Sequence, residues 1–506
     1  MHLARAEASP LAHCPLHQTW LHPYDLRVPG QFGRLRRIRA LRRSLQSGAA
    51  VSLENRARHR ESVGHDDYAL ERIPPESQYP WWPMAIQRFG QLSALFQFFI
   101  GATLGLGMSF RNAFLALTFG ALVLEVVAVF TGIIGQREGL STSVLARWTG
   151  FGQGGSALIG LAIAISLVGW FGVQSAIAAR GLVDLIGVLP EWAWSLAFGL
   201  AVTAIVVHGF RWMAWTACIA APAMLALAGW SIITELSRYS LEDLVTSAPT
   251  GPSISLAEGT VLVAGGFIIG SIVAPDMTRF NRSTSDIVKQ TVVGIALGEY
   301  VIGLIGVLLA HALRTTDVAA NVTTTSGAIG PLVILAATVK INDWNLYSAS
   351  LGVVNFAHTV LGRRIDRALT TIGLGVLGSV LAAVGVLDRF TDFLALLGVA
   401  FPPVAGIMIA EYFVVRAFAG ELAVGVEAGR EARDLPESSP RWVPATLLVW
   451  LVAALVGKYV VWGLGSLNAL VVAFILYAAL GKLGLVRSVG RSRREEGLVP
   501  APAASH

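Results

Sequence analysis

The sequence predicts an all-α polytopic membrane protein with about twelve transmembrane helices. Three observations predict it. Of 506 residues, 54% are hydrophobic and 14% charged, with a mean hydropathy of +0.62, a balance typical of membrane chains rather than soluble domains. The apolar residues gather into stretches of the length that crosses a bilayer, about 20 residues each. Two of those stretches, five apart in order, are interrupted by glycine, which is the sequence pointer to an inverted repeat with its site at the membrane midplane.

The spans run approximately over 86–109, 112–135, 153–180, 193–209, 212–236, 257–274, 286–313, 327–350, 367–387, 390–416, 442–462 and 463–485. Orientation follows from lysine and arginine, which favour the cytoplasmic side. The odd-numbered loops carry about one basic residue each, such as Arg111, Arg180 and Arg238, whereas the even-numbered ones are richer, as with Arg279, Arg282 and Lys289 or Arg363, Arg364 and Arg367. Both termini are therefore expected in the cytoplasm. This bias accounts for the net charge of +6, so no nucleic-acid partner is implied. Cys14 and Cys218 have no metal or disulfide spacing.

Residues 1–72 read as a cytoplasmic tail, partly untranslated if Val51 serves as the start. RLRRIRALRRSLQ within it has the character of a basic surface anchor, but no apolar core follows, so it is not a signal peptide. A ten-helix core is expected over 73–420, a cytoplasmic loop over 421–441, two peripheral helices over 442–485 and a cytoplasmic tail over 486–506.

The first span reads QFFIGATLGLGMSF, with Gly101, Gly105 and Gly107; the sixth reads VLVAGGFIIGSIVAPD, with Gly265, Gly266 and Gly270. Glycine weakens a helix interior by about 1 kcal/mol, and unwound backbone survives in a membrane where a cavity or protein satisfies it. Breaks are expected at these glycines, most of all at Gly265–Gly266. Membrane helices also use glycine for close packing. Pro222 in the fifth span and Pro402–Pro403 in the tenth add bends.

In the third span, Trp170 and Gln174 lie four residues apart on one helical face. An aromatic plane beside a carboxamide suits a flat heterocycle, though the pair alone also reads as core packing. Lys340 is one of four lysines against 34 arginines, and it stands within the apolar run GPLVILAATVKI of the eighth span. A cation at membrane depth is costly unless it is paired, faces a wet cavity or performs a task. Its candidate partners are Asp343, one turn away, and Glu299 of the seventh span. Glu125 and Glu411 are further intramembrane acids, read as packing residues with a proton relay as the alternative, and His311 as a solvated end residue.

REGLSTSVLARWTGFGQGGSALIG precedes the third span, APDMTRFNR follows the sixth, NDWNLYSASLGVVN lies in the eighth and FPPVAGIMIAEYF in the tenth. In that order and spacing the chain, from about Ile73 to Leu485, resembles the nucleobase:cation symporter-1 family, most closely its cytosine-permease-like (purine-cytosine permease) bacterial branch. The resemblance implies a leucine-transporter-like 5+5 inverted repeat with broken helices 1 and 6 and two peripheral helices. It places Trp170 on one face of the substrate ring and Phe267 on the other, with a freed backbone amide near Gly266. Gln174 matches a ligand-binding glutamine of hydantoin-permease-like members. Three polar groups expected for cytosine are replaced by Leu167, Ile269 and Ala337, which argues for a less polar or differently substituted ring, with Asn342 or Asn345 supplying an amide.

Sodium-coupled members bind the ion between first-helix carbonyls, here near Gly90 and Ala94, and two adjacent hydroxyl residues on the eighth helix. Those hydroxyls fall on Lys340 with Ile341, or on Val339 with Lys340. Sodium takes oxygen ligands and an ammonium offers only donors, so Lys340 reads as a tethered cation bridging first-helix carbonyls to the eighth helix, or, if it sheds its proton, as a proton carrier.

The function expected is a secondary active transporter (permease) in a bacterial inner membrane. It imports a small planar nitrogen heterocycle, a nucleobase or related compound, by alternating access without sodium. An uncoupled facilitator, a nutrient sensor, or a transporter of a thiamine-like or pyridoxine-like vitamin are the alternatives. No cofactor, resident metal or catalysis is expected, since neither H-E-x-x-H nor a nucleophile–base motif occurs. The implied partners are the substrate, the lipid bilayer and a proton, and the chain is expected to act as a monomer.

Overall fold

The structure, a computed structural model, describes residues 68–92, 95–209, 239–314, 329–386, 401–427, 438–460 and 464–493, with a few isolated positions between them. Nearly all of the N-terminal tail, most of the fifth span and Ala94 lie outside the described residues. The first span is made of α1 (Trp81–Leu92) and α2 (Leu95–Gly107), bent by 59° at the break between them. Then come α3 (Phe110–Glu138), α4 (Gly152–Ile186) and α5 (Glu191–Val207). The second half begins with α6 (Leu256–Ile272), followed by α7 (Thr284–Leu313), α8 (Ile329–Val360) and α9 (Arg367–Ala383). It ends with α10 (Pro402–Ala410), α11 (Pro444–Tyr459) and α12 (Gly465–Lys482).

Among the described residues four helices are long and apolar enough to cross a membrane, or five with the bent pair taken as one span, and five shorter apolar helices run 10–17 residues. The 35 residues of α4 extend about 52 Å at ~1.5 Å per residue, well beyond the roughly 30 Å hydrocarbon core. Local chemistry sets the ends. The Ser109 hydroxyl accepts from the Asn112 amide to open α3, and Gly139 closes it at φ 64°, a left-handed backbone that glycine adopts without strain. Ser255 and Glu258 form a reciprocal capping box at the start of α6.

The packing of these helices carries the repeat. The most extensive contacts pair α4 with α8, α5 with α9, α7 with both halves of the first span, and α6 with α3. Moving every span five places along the chain leaves the third–eighth and fourth–ninth pairs unchanged. It turns the first–seventh pair into the sixth–second. Two five-helix units related by an inverted repeat have this symmetry. A small antiparallel sheet joins β1 (Ser438–Trp442) to β2 (Val489–Arg493). The Trp442 indole packs on Gly154 at the start of α4, so β2 is tied through β1 to the core.

The breaks are not at the predicted glycines. The first span bends between Leu92 and Leu95, while Gly101 and Gly105 lie inside α2. α6 runs unbroken through Gly265 and Gly266 to Ile272; the chain turns at Val273–Ala274, before the short helix Pro275–Thr278. The amide of Gly266 is therefore within a regular helix and is not freed by unwinding. The glycines of the first span are there for proximity: a Cβ on Gly101 would strike the Gly303 carbonyl and stand 3.1 Å from the Gly306 Cα, and one on Gly105 would lie 2.7 Å from the Val307 carbonyl. Pro402 begins α10 rather than kinking it. Gly101→Ala is expected to cost about 1–3 kcal/mol through overpacking, read as a lower melting temperature in detergent. Gly373→Ala on α9, where a Cβ meets nothing within 4 Å, should raise melting slightly, by up to about 1 kcal/mol of helix propensity.

Candidate functional site

A cavity of about 50 Å³ lies where the break of the first span faces α4, α6 and α8. One enclosed water needs only ~10–15 Å³, so this is a formed space rather than packing slack. Trp170 and Gln174 of α4, Gly266 and Phe267 of α6, and Asn345 of α8 line it, together with Gln97 of α2. Trp170 meets Phe96 edge to face, with ring centroids 5.3 Å apart and planes at 71°, a favourable aromatic arrangement that fixes the indole plane against the cavity. Phe267 is 8% exposed and lines the same space.

The polar groups of the wall are distinctive. Gln174 is 2% exposed, and its Oε1 has no hydrogen-bond partner among the described residues; Gln91, also on the wall, is in the same condition at Oε1 while its Nε2 reaches Met277 Sδ at 3.7 Å. Buried carbonyls are nearly always paired, so two unpaired acceptors beside a cavity leave places for donors brought by a ligand. Leu167 and Ile269 are on the wall too, whereas the Ala337 side chain lies outside the described residues.

Asn342 is not on the cavity. Its Nδ2 donates to the Phe171 carbonyl at 3.0 Å and to Ser175 Oγ at 2.9 Å, and its Oδ1 accepts from Asn345 Nδ2 at 3.2 Å. It ties α8 to α4 and positions Asn345. Of the two candidate amides only Asn345 faces the space, because Asn342, one turn earlier on the same face, is held by α4.

Lys340 is 1% exposed and Asp343 is fully buried. Their Nζ–Oδ2 distance is 2.5 Å, and Nζ also donates to the Met213 carbonyl at 2.8 Å and lies 3.5 Å from Thr216 Oγ1. Thr216 Oγ1 donates to Asp343 Oδ2 at 3.3 Å, while Asp343 Oδ1 has no partner among the described residues. The predicted bridge is thus corrected. The ammonium reaches the fifth span rather than first-span carbonyls, because the carboxylate one turn along α8 draws it that way. The first span still takes part: a Cβ on Gly90 would lie 3.6 Å from the lysine Cε, so the lysine stem packs beside the first span at ordinary van der Waals distance. Ala94 lies outside the described residues.

Glu299 is not a partner of Lys340. It sits in the π-helical segment Gly298–Gly303 of α7 and takes a short hydrogen bond from Gln97 Nε2. His311 is buried with Nδ1 2.6 Å from the Leu244 carbonyl rather than solvated. Glu411 accepts from Tyr477 Oη at 3.1 Å and from the Phe418 amide at 2.9 Å, as a packing residue does. Among the described residues no group of three His, Cys, Asp or Glu could hold a metal ion. Sequence reasoning overlooked Gln91 and Gln97. Their signal was available: two carboxamides flanking the centre of an apolar run, where an amide needs a partner.

A profile of the family described as "Permease for cytosine/purines, uracil, thiamine, allantoin" matches residues 80–457. The cytosine permease of Escherichia coli (strain K12) is 32% identical over 322 residues, covering 62% of this chain and 74% of that one. The hydantoin permease of Microbacterium maritypicum is 25% identical over 382 residues, covering 69% and 74%. In fold the chain is similar to Mhp1, a nucleobase-cation-symport-1 family transporter, in a closed conformation with bromovinylhydantoin bound: TM-score 0.67 at 20% identity over 83% of this chain and 94% of that one. A Na+-coupled sialic acid symporter has the same architecture at TM-score 0.60 and 11% identity, over 80% and 90%. The bend in the first span, the repeat symmetry and a profile match over most of the chain agree, and the chain belongs to the membrane permease family for cytosine/purines, uracil, thiamine and allantoin.

Proposed function

We propose that this permease imports a small planar nitrogen heterocycle with ring N–H donors, by alternating access and without sodium. The observation that carries the substrate class is the cavity itself: Trp170 and Phe267 stand on its walls and Gln174 holds an unpaired carbonyl there. The aromatic rings would stack on the two faces of the substrate while Gln174, and Gln91 beside it, accept its N–H groups. Asn345 and the wall at Gly266 complete the contact. An imide-like ring such as hydantoin, allantoin or uracil supplies such donors. Cytosine fits less well, since Leu167 and Ile269 bring carbon to the wall.

Sodium independence rests on Lys340 and Asp343. Their pair places a tethered cation and its counter-charge in the wall between the first, fifth and eighth spans, where the sodium-coupled arrangement uses oxygen ligands. An ammonium cannot ligate a cation. The neutral pair would hold these spans together throughout the cycle. The protein would lie in a bacterial inner membrane with both termini in the cytoplasm, and would act as a monomer.

Substrate class is tested by thermal shift of the purified chain with hydantoin, allantoin, uracil, cytosine and thiamine. A ligand at about 100 times its Kd stabilises by roughly 2.7 kcal/mol. A rise in melting temperature with hydantoin, allantoin or uracil that exceeds the rise with cytosine is expected. A response to thiamine alone, or a larger response to cytosine, would contradict the reading.

A further inference from the structure

Glu299 is a buried acid that neither the cavity contacts nor the Lys340 pair uses, and unlike Asp276 and Glu411 it is bonded to a residue of the cavity wall. It is fully buried, and none of the ion pairs among the described residues includes it. Oε2 accepts from Gln97 Nε2, and Oε1 has no hydrogen-bond partner among the described residues. The segment that carries it, Gly298–Gly303, is π-helical, a widened turn often found at functional positions. Gln97 is also on the cavity wall. One carboxamide therefore touches both the buried acid and the space proposed for substrate.

The charged groups around Glu299 do not neutralise it. α2 carries no charged residue. α1 carries only Arg88, whose stem packs on Gly294 and whose Nη1 donates to the Gly270 carbonyl at 3.3 Å. From α3 the facing charge is Glu125, half-buried and close enough to act on Glu299 electrostatically. A second carboxylate adds repulsion, and an ionised carboxylate at membrane depth is held only where it is paired or functional.

We propose that Glu299 binds a transported proton and that Gln97 carries its protonation state to the substrate cavity. The balance is simple: Glu299–COOH gives Glu299–COO⁻ and one proton, which leaves through water admitted to the cavity. As a carboxylate, Glu299 accepts from Gln97 Nε2, as in the structure, and Gln97 presents its Oε1 to the cavity, where it repels a substrate carbonyl. As an acid, it donates its O–H to Gln97 Oε1, and the amide turns its Nε2 toward the cavity to donate to a ring carbonyl of the substrate. The cavity then changes from acceptor to donor at that point, so the protonated form binds substrate more tightly and substrate in turn holds the proton. This coupling rests on the proposed heterocycle site but not on Lys340.

The test uses the full chain in proteoliposomes in sodium-free choline buffer, with radiolabelled hydantoin, allantoin and uracil as probes. Wild type should accumulate a probe when the outside is made acid. Glu299→Gln keeps the shape of the side chain and cannot release a proton; it should retain exchange of that probe by counterflow and lose acid-driven accumulation to the gradient-free level. Accumulation by the variant equal to wild type would overturn the proposal. An infrared difference spectrum of the two proteins in detergent tests the site with no substrate at all. A carboxylic-acid carbonyl band that titrates in wild type and is missing from Glu299→Gln supports a proton on Glu299, and identical spectra overturn it. If wild type exchanges none of the probes, the substrate reading fails by itself and the infrared comparison decides Glu299.

Discussion

Lys340→Ala is expected to cost about 3–5 kcal/mol of stability, because it leaves the fully buried Asp343 with no counter-charge. The loss is large for the same reason that the pair is hidden. Asp343 Oδ1 already has no partner among the described residues and Oδ2 depends on Lys340 and Thr216. The Met213 carbonyl would lose its donor as well. Removing both charges should be far milder: Lys340→Met with Asp343→Leu replaces the pair by apolar groups of similar volume, an exchange that is often neutral or stabilising. Thermal melting in detergent of the two singles and the double separates these outcomes. A double variant as unstable as Lys340→Ala would show that the lysine contributes through packing on Gly90 rather than through its charge.

Trp170→Ala is expected to weaken ligand binding by about 1–3 kcal/mol, the loss found when an aromatic platform for a stacked base is removed, or roughly five- to 150-fold in Kd. Trp170→Phe should recover part of it, since a smaller ring keeps the stacking plane. The edge-to-face contact with Phe96 is retained in kind by phenylalanine and lost with alanine. Gln174→Leu should act differently: it removes an acceptor but no stacking surface, so it should discriminate most against ligands rich in N–H groups. Titration by ligand-induced melting shift reads all three. Unchanged affinity in Trp170→Ala would place the site elsewhere.

The parts of this design that lie on one helix were legible in the sequence. Trp170 with Gln174, and Lys340 with Asp343, are pairs four and three residues apart, so helical geometry alone puts each pair on one face. The membrane class followed from composition; the repeat was expected from glycine-interrupted spans five apart, though neither span breaks at those glycines. The parts that depend on a neighbouring helix were not legible. Gly101 and Gly265–Gly266 carry the same local signal, yet Gly101 is pressed against α7, a Cβ on Gly265 would meet nothing within 4 Å, and neither marks a break. Asn342 and Asn345 could not be told apart until Ser175 and Phe171 appeared opposite one of them. Glu299 could not be separated from Lys340 without the position of Gln97, which takes it instead. The direction of the Lys340 ammonium was settled by Met213 and Thr216 of the fifth span, residues that carry no motif.

The buried Lys340–Asp343 pair, proposed to take the place of a coupling sodium ion, makes transport independent of sodium in this reading. The most direct measurement is initial uptake of the responding heterocycle at fixed pH, first in sodium and then with sodium fully replaced by choline. Equal rates in the two media are the result predicted. A strong loss of uptake in choline would contradict the account, whatever the substrate proves to be.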